Sequence, residues 1–276
     1  VGGQGRTDPS RIGDRLDVLV VSDVHAEFDA LARVAATGET LLILGDIVNL
    51  IDYRTGEGII SDVMGEEFGR RVSQHRGDSD YEAMRELWAE GMAGRADELR
   101  ASFSDLVKKQ HAAFREAVAG ATAYVTYGNV DSPDLLAESL PVGMQFVDGD
   151  VVEIDGVTFG FAGGGIATPS RGRGEVTDEA MTEKLERIGP VDVLCTHLSP
   201  AVRPLHYDVI TGRLERSSQP ILDYIVTHRP RFHLFGDIHQ PQATRWRVGS
   251  TVCLNVGYFR ATRRAFRFDP AAAIAS

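Results

Sequence analysis

An α/β fold with parallel strands is predicted by three features of the 276-residue sequence. Short continuous runs of Val, Leu and Ile are bounded by glycine or polar residues, as in strands covered on both faces. These runs alternate with segments of helical spacing, the pattern of strand–helix–strand units. Several runs end in a carboxylate, an amide or a histidine, at the strand ends where open α/β sheets bind ligands.

Residues 1–15 lack the apolar core of a signal peptide and are expected to be a disordered leader. Residues 16–270 read as a single domain and 271–276 as a tail. "LDVLVVS" (16–22) is a strand, "EFDALARVAA" (27–36) a helix and "TLLILG" (40–45) a second strand, an order that implies a right-handed crossover. A helical insertion spans about 53–120. It is rich in Glu, Arg, Ala, Met and Leu, with helical spacing in "YEAMRELWAEGM" and "LVKKQHAAFREAV". It is expected to lie over the mouth of the fold. "AYVTYG" (123–128) returns to strand. In "VVEIDGVTFGFAGG" (151–164), Asp155-Gly156 between two alternating runs predicts a hairpin. Helices follow at 177–188 and 217–228, with a strand at 191–196 between them. "RFHLFG", "ATRWRVG", "TVCLNVG" and "RRAFRF" are closely spaced strands.

The composition, 43% hydrophobic and 25% charged, is that of a soluble globular protein. The net charge of -11 disfavours nucleic acid and anionic membranes as partners. No apolar run approaches the ~18 residues of a membrane span, and the expected location is the cytoplasm. The two cysteines, Cys195 and Cys253, sit in apolar runs and are expected to be buried hydrophobes, not a disulfide. Nothing in the residues indicates an oligomeric state.

The chemistry lies at five strand ends. The first delivers Asp23 and His25, the second Asp46, the third Asn129, the fourth His197, and the fifth Asp237 and His239. Three carboxylates, three imidazoles and an amide exceed what one ion takes. With one carboxylate shared, they suit two ions roughly 3.5–4 Å apart. Asp46 is the natural bridge, because its motif has no companion histidine. Mixed oxygen and nitrogen donors fit Mn, Fe, Zn or Co better than an all-oxygen calcium site. Two such ions activate water and neutralise a phosphoryl group, so the reaction class is metal-assisted phosphoester hydrolysis. Each motif alone is weak: Asp after Gly is commonly a turn or a helix cap. Their conjunction in this order carries the reading.

The ordered set "DVH", "GD", "GNVD", "TH" and "GDIH" resembles the calcineurin-like metallophosphoesterase superfamily, from about residue 16 to 268 apart from the insertion. That family's pattern is D-x-H, G-D, G-N-H-[DE], H and G-H-x-H. The resemblance implies a four-layer αββα sandwich with two central sheets and a dinuclear centre at one sheet edge. It implies that Asp23, His25, Asp46 and His239 hold one metal, and Asp46, Asn129, His197 and Asp237 the other. Asp46, Asn129, Asp131 and His197 would carry catalysis by a hydroxide bridging the ions, with Asp131 orienting its neighbours. Asn255 and Gly257 would be structural.

Two positions depart from the pattern. Val130 replaces the general-acid histidine and cannot donate a proton. Good leaving groups are then favoured, or the proton comes from water or another residue. Asp237 replaces a histidine and favours a harder ion, Mn(II) or Mg(II), over Zn(II) at the second position. The implied function is a metal-dependent phosphoesterase of small-molecule substrates, a phosphodiesterase more than a monoesterase, with two divalent ions and Mn favoured. The rival is a binding scaffold that kept the fold but weakened or lost catalysis.

Other motifs are less decisive. "GGGIATPSRGRGE" (163–175) offers Arg171 and Arg173 as a grip for an anion, or is simply a solvated loop. His206 and Tyr207 follow the His197 motif closely enough to neighbour the site. His111 lies in the insertion, and "VDGDVV" (147–152) reads as a turn. H-E-x-x-H and G-x-S-x-G do not occur.

Overall fold

The computed structural model describes residues 18–78, 80–168 and 172–269. The expected leader and tail and Arg171 lie outside the described residues.

Val18–Val21 (β1), Phe28–Ala35 (α1) and Thr40–Ile43 (β2) form the opening unit, with β1 and β2 parallel. Four helices follow: Ile59–Met64 (α2), Glu66–Asp78 (α3), Tyr81–Met92 (α4) and Ala96–Ala117 (α5). Ala123–Val125 (β3), Pro133–Ser139 (α6) and Met144–Phe146 (β4) come next. Asp150–Ile154 (β5) and Val157–Ala162 (β6) are the expected hairpin. Its turn residues Asp155 and Gly156 have φ of 49° and 79°, the left-handed pair that suits strand twist. Gly165–Ile166 (β7) and Glu175–Val176 (β8) pair in parallel, followed by Asp178–Ile188 (α7) and Val193–Thr196 (β9). Arg203–His206 (α8), Tyr207–Asp208 (β10), Arg213–Leu214 (β11) and Gln219–His228 (α9) lead to Phe232–Phe235 (β12). Arg245–Val248 (β13), Thr251–Asn255 (β14), Phe259–Thr262 (α10) and Phe266–Phe268 (β15) complete the described chain.

Two large sheets result. The first runs β15-β1-β2-β3-β4, parallel except for β15. The second runs β13-β14-β12-β9-β6-β5, parallel inside with antiparallel edges. Val18 and Val20 share a core with Phe159, Phe161, Phe232 and Leu234 of the second sheet. Leu19 and Val21, on the opposite face of β1, pack with Leu31, Phe114 and Leu136 of the helices. A strand covered on both faces needs apolar side chains at every position, which is why the run "VLVV" does not alternate. On the far side of the second sheet, Leu194, Phe235 and Cys253 pack under α7 and α9. The layers are therefore helix, sheet, sheet, helix. Cys195 and Cys253 are buried and unpaired, as expected. No helix among the described residues is long and apolar enough to cross a membrane.

The helical region divides in two. Phe114 of α5 packs with Phe28 of α1, and with Val118 covers the outside of the first sheet. α2–α4 instead gather a small core of their own, Val72 and Leu87 against Ile51, Phe68 and Trp88. The strand β4, the helix α6 and the pairs β7–β8 and β10–β11 were not expected; elements this short present too few residues for a period to register.

Candidate metal centre

Parallel strands end at one edge of their sheet, so β1, β2, β3, β9 and β12 deliver their next residues to the same place. Eight non-glycine residues have positive φ among the described residues, and five are Asp23, His25, Ala26, Asp46 and Asp237. Such conformations cost of order 1–3 kcal/mol each and persist only where surroundings hold them. Here the motif loops hold one another. Asp23 N–H donates to Gly45 O (3.1 Å), His25 N–H to Asp46 O (2.8 Å) and Asp237 N–H to Asp23 Oδ2 (3.0 Å). Glycine is needed at Gly128 and Gly236 because the loops touch: a Cβ at Gly128 would run into Asp46 Oδ1, and one at Gly236 into Ser22 Oγ.

The side chains converge. Donor atoms of Asp23, His25 and His239 lie within 4.8 Å of one another, and so do those of Asp23, Asp46 and His197. Asp23 is common to both groups. Asp46 lies between two imidazoles, Oδ2 3.6 Å from His25 Nε2 and Oδ1 3.5 Å from His197 Nε2. Around that same His197 nitrogen stand Asn129 Oδ1 at 3.2 Å and Asp237 Oδ1 at 3.7 Å. Backbone carbonyls set the ring tautomers. Nδ1 of His25 lies 3.2 Å from Val48 O, and Nδ1 of His197 3.0 Å from Leu44 O. With Nδ1–H donated to a carbonyl, each Nε2 keeps its lone pair for the cluster. Asp23 Oδ1, 3.3 Å from His239 Nε2 but outside hydrogen-bond geometry, and His25 Nε2 are buried and make no hydrogen bond. Buried polar atoms are normally satisfied, and a cation between these donors would satisfy both. The Asp/His clusters thus suit metal binding.

In the ion-free state protons do part of that work. Burial pushes the Asp46 carboxyl up to about 7, aided by Asp131 and Asp23 and opposed by His197. Burial works against a charge on His197, but Asp46, Asp23 and Asp237 outweigh it and raise the ring to about 9. Burial and the neighbouring His239 lower His25 to about 4. Burial raises Asp237. Asp23 resists burial and is held low by His239, His197 and His25.

Asp131 stands behind the cluster. Its Oδ2 accepts from Asp46 N–H (2.8 Å) and Gly128 N–H (2.9 Å), and Oδ1 from Ile47 N–H (2.9 Å). Both oxygens are thereby committed to backbone, a positioning role. Val130 contributes its N–H, 3.1 Å from Asp46 Oδ1. The glycine-rich segment is a wall of the site: a Cβ at Gly165 would overlap Asn129, and one at Gly174 the Gly128 carbonyl. Arg173 in that segment is exposed. His206 is half-buried with Nδ1 2.8 Å from Glu215 O, closing the base of the β10–β11 hairpin outside the ligand cluster. His111 is buried, 3.5 Å from Ser139 Oγ through Nδ1. Asn255 is structural, donating to Ile238 O (2.9 Å) and accepting from Gly257 N–H (2.8 Å).

Several residues at the site carry no local signal. Tyr258 stacks on His239, ring centroids 3.7 Å apart and planes 3° off parallel. Arg260 donates Nη1–H to His25 O (2.6 Å) and pairs with Asp52 (3.2 Å), pinning the 49–58 loop beside the cluster. Only a reading of "CLNVGYFR" as a continuation of the Asn255 motif would have pointed to them.

No family model and no curated protein matches this chain. Solved structures do. One overlays with a TM-score of 0.57 at 16% identity, covering 88% of this chain and 91% of its own. TT1561 of Thermus thermophilus overlays at 0.51 and 13% identity, covering 92% and 98%. The shared architecture is the α/β sandwich of helix, sheet, sheet and helix layers. A sulfate thiohydrolase, SoxB of Thermus thermophilus in complex with glycerol, matches at 14% identity over 85% of this chain and 37% of its own. Its TM-score of 0.35 is too low to bear on the site. Identities this low establish the fold and nothing finer.

Proposed function

We propose that this protein is a metal-dependent phosphoesterase with a two-ion centre, acting on small phosphodiesters. The observation that supports it most is Asp46 set between two imidazoles, Oδ2 3.6 Å from His25 Nε2 and Oδ1 3.5 Å from His197 Nε2, with Asp23 Oδ1 and His25 Nε2 buried and making no hydrogen bond. Asp23, His25, Asp46 and His239 would hold one ion, and Asp46, Asn129, His197 and Asp237 the other. Bound divalent ions would supply Lewis-acid charge and an activated water. Three oxygen donors among the second set favour Mn there.

The chain's own groups determine the leaving-group preference. Val130 offers no proton, and Asp131 has spent both oxygens on amides. With neither residue able to donate, a departing alkoxide takes its proton from water or another residue, and acidic alcohols are favoured. Protein loaded with Mn(II) is expected to hydrolyse bis-p-nitrophenyl phosphate and to lose turnover about a hundredfold or more in Asp46→Ala. Two bound ions without hydrolysis under Mn, Fe, Zn or Co would sink the proposal. Substoichiometric metal and no turnover would point instead to a scaffold that kept the fold.

A further inference from the structure

One buried cation lies outside the ligand cluster. Lys184 is buried on α7, whose neighbouring inward residues Met181, Leu185 and Ile188 are apolar and pack under the second sheet. A lysine ammonium carries three N–H donors, and here each has an acceptor. Asp148 Oδ2 stands 2.9 Å from Nζ, Tyr127 Oη 2.6 Å and Gly163 O 2.9 Å. Burying a charge costs free energy even when it is paired, and a well-packed apolar side chain of similar volume often holds a fold as well or better. Anchoring α7 therefore does not by itself account for a lysine at this position.

The acceptors belong to the chain that carries Asn129 and to the segment packed against it. Tyr127 precedes Asn129 by two residues. Gly163 opens the glycine-rich segment, and its N–H donates to Asp148 Oδ1 (3.0 Å). Gly164 N–H donates to Tyr127 O (2.8 Å). A Cβ at Gly163 would strike the Tyr127 ring, and one at Gly165 would strike Asn129 Cβ. One side of Asn129 is thus set by where Gly163, Gly164 and Gly165 lie against Tyr127, and Lys184 joins the two segments through a single nitrogen. At its other end, Asn129 Oδ1 stands 3.2 Å from His197 Nε2, among the donors of the second proposed ion.

We propose that Lys184 is a positioning residue for the second ion: by holding Tyr127 Oη and Gly163 O at one nitrogen, it presents the Asn129 amide oxygen to that ion. The inference rests on the two-ion reading of the centre. Lys184 itself touches no ion in this arrangement. The two ions should therefore respond differently to its loss, because Asp23, His25, Asp46 and His239 stand on loops that Lys184 does not bond.

The test is Mn(II) titration of the full-length protein, with bound ions counted by metal analysis and their coupling read by electron paramagnetic resonance. Wild type should bind two ions and show the spectrum of a coupled pair. Lys184→Met should bind the first ion as wild type does and the second about tenfold or more weakly, with the spectrum of isolated Mn(II) until the second site fills. Tyr127→Phe, which removes one acceptor and keeps the ring, should weaken the second ion in the same direction. Added to Lys184→Met it should weaken that ion little further, because both changes break one contact. Leu185→Ala, the next residue on α7 and part of its apolar cluster, should lower stability to urea and leave both ions unchanged. Should Lys184→Met not fold, Tyr127→Phe decides on the same readout. Second-ion binding equal to wild type overturns the inference and leaves the two-ion reading intact. Equal weakening of both ions, or a loss of the second ion in Leu185→Ala as large as in Lys184→Met, makes Lys184 a structural residue only and also overturns it. A wild type that binds a single ion removes the reading and the inference together. A weakened second ion in a protein that hydrolyses no phosphoester leaves the positioning role standing and removes the phosphoesterase reading.

Discussion

What separates a candidate ligand histidine from a structural one here is the partner of its second nitrogen. His25 and His197 give Nδ1 to carbonyls and aim Nε2 at carboxylates. His233 instead places Nε2 2.8 Å from Thr196 Oγ1 and stacks on Phe235. Burial lowers it from 6.5 to about 3. The sign follows: the fold keeps this ring neutral while the unfolded chain protonates it below 6.5, so its effect is absent above 6.5 and destabilises progressively down to about 3. The slope approaches 1.4 kcal/mol per pH unit. In chelator-treated protein, His233→Gln should therefore lose roughly 2 kcal/mol less stability than wild type between pH 7 and about pH 5. Urea unfolding at the two pH values measures this, and equal losses would refute it. "SDVH" and "GDIH" announce their histidines by position after a strand, whereas "RFHLF" hides His233 in a strand. Tyr258 and Arg260 were illegible because their partners lie elsewhere in the sequence; Arg260 and His25 are 235 positions apart.

The long strands and helices were readable because burial on one or two faces imposes a period. The glycine-rich segment was readable as irregular but not in purpose: its glycines exist because it runs against Asn129 and Gly128. The insertion was readable as helical, but not its division into α5, which belongs to the outer layer, and α2–α4, which have a core of their own. That division predicts separable stability. Leu87→Ala should cost the small core about 2–5 kcal/mol. Hydrogen exchange should then quicken across α2–α4 while β1, β9 and β12 stay protected. Uniform loss of protection would show that the helices and the sandwich unfold as one.

On the proposed two-ion reading, metal and protons compete for the same side chains. Asp46, raised to about 7, and His197, raised to about 9, bind protons more tightly in the ion-free fold than in the unfolded chain. Both must be deprotonated to ligate, so acid favours the ion-free state. Saturating Mn(II) at a hundredfold excess over Kd stabilises by about 2.7 kcal/mol. The rise in Tm on adding Mn(II) should be larger at about pH 8.5 than at about pH 6, with protons released on binding. A Tm rise independent of pH, or none, would exclude Asp46 and His197 as ligands. The order of the motifs, the continuous apolar strands and the ligand types were present in the chain because hydrophobic burial and strand ends are local properties. The sharing of Asp23 and the aim of each Nε2 were decided only in three dimensions. They depend on two sheets stacked face to face with their ligand-bearing edges together, which joins side chains that no local pattern relates.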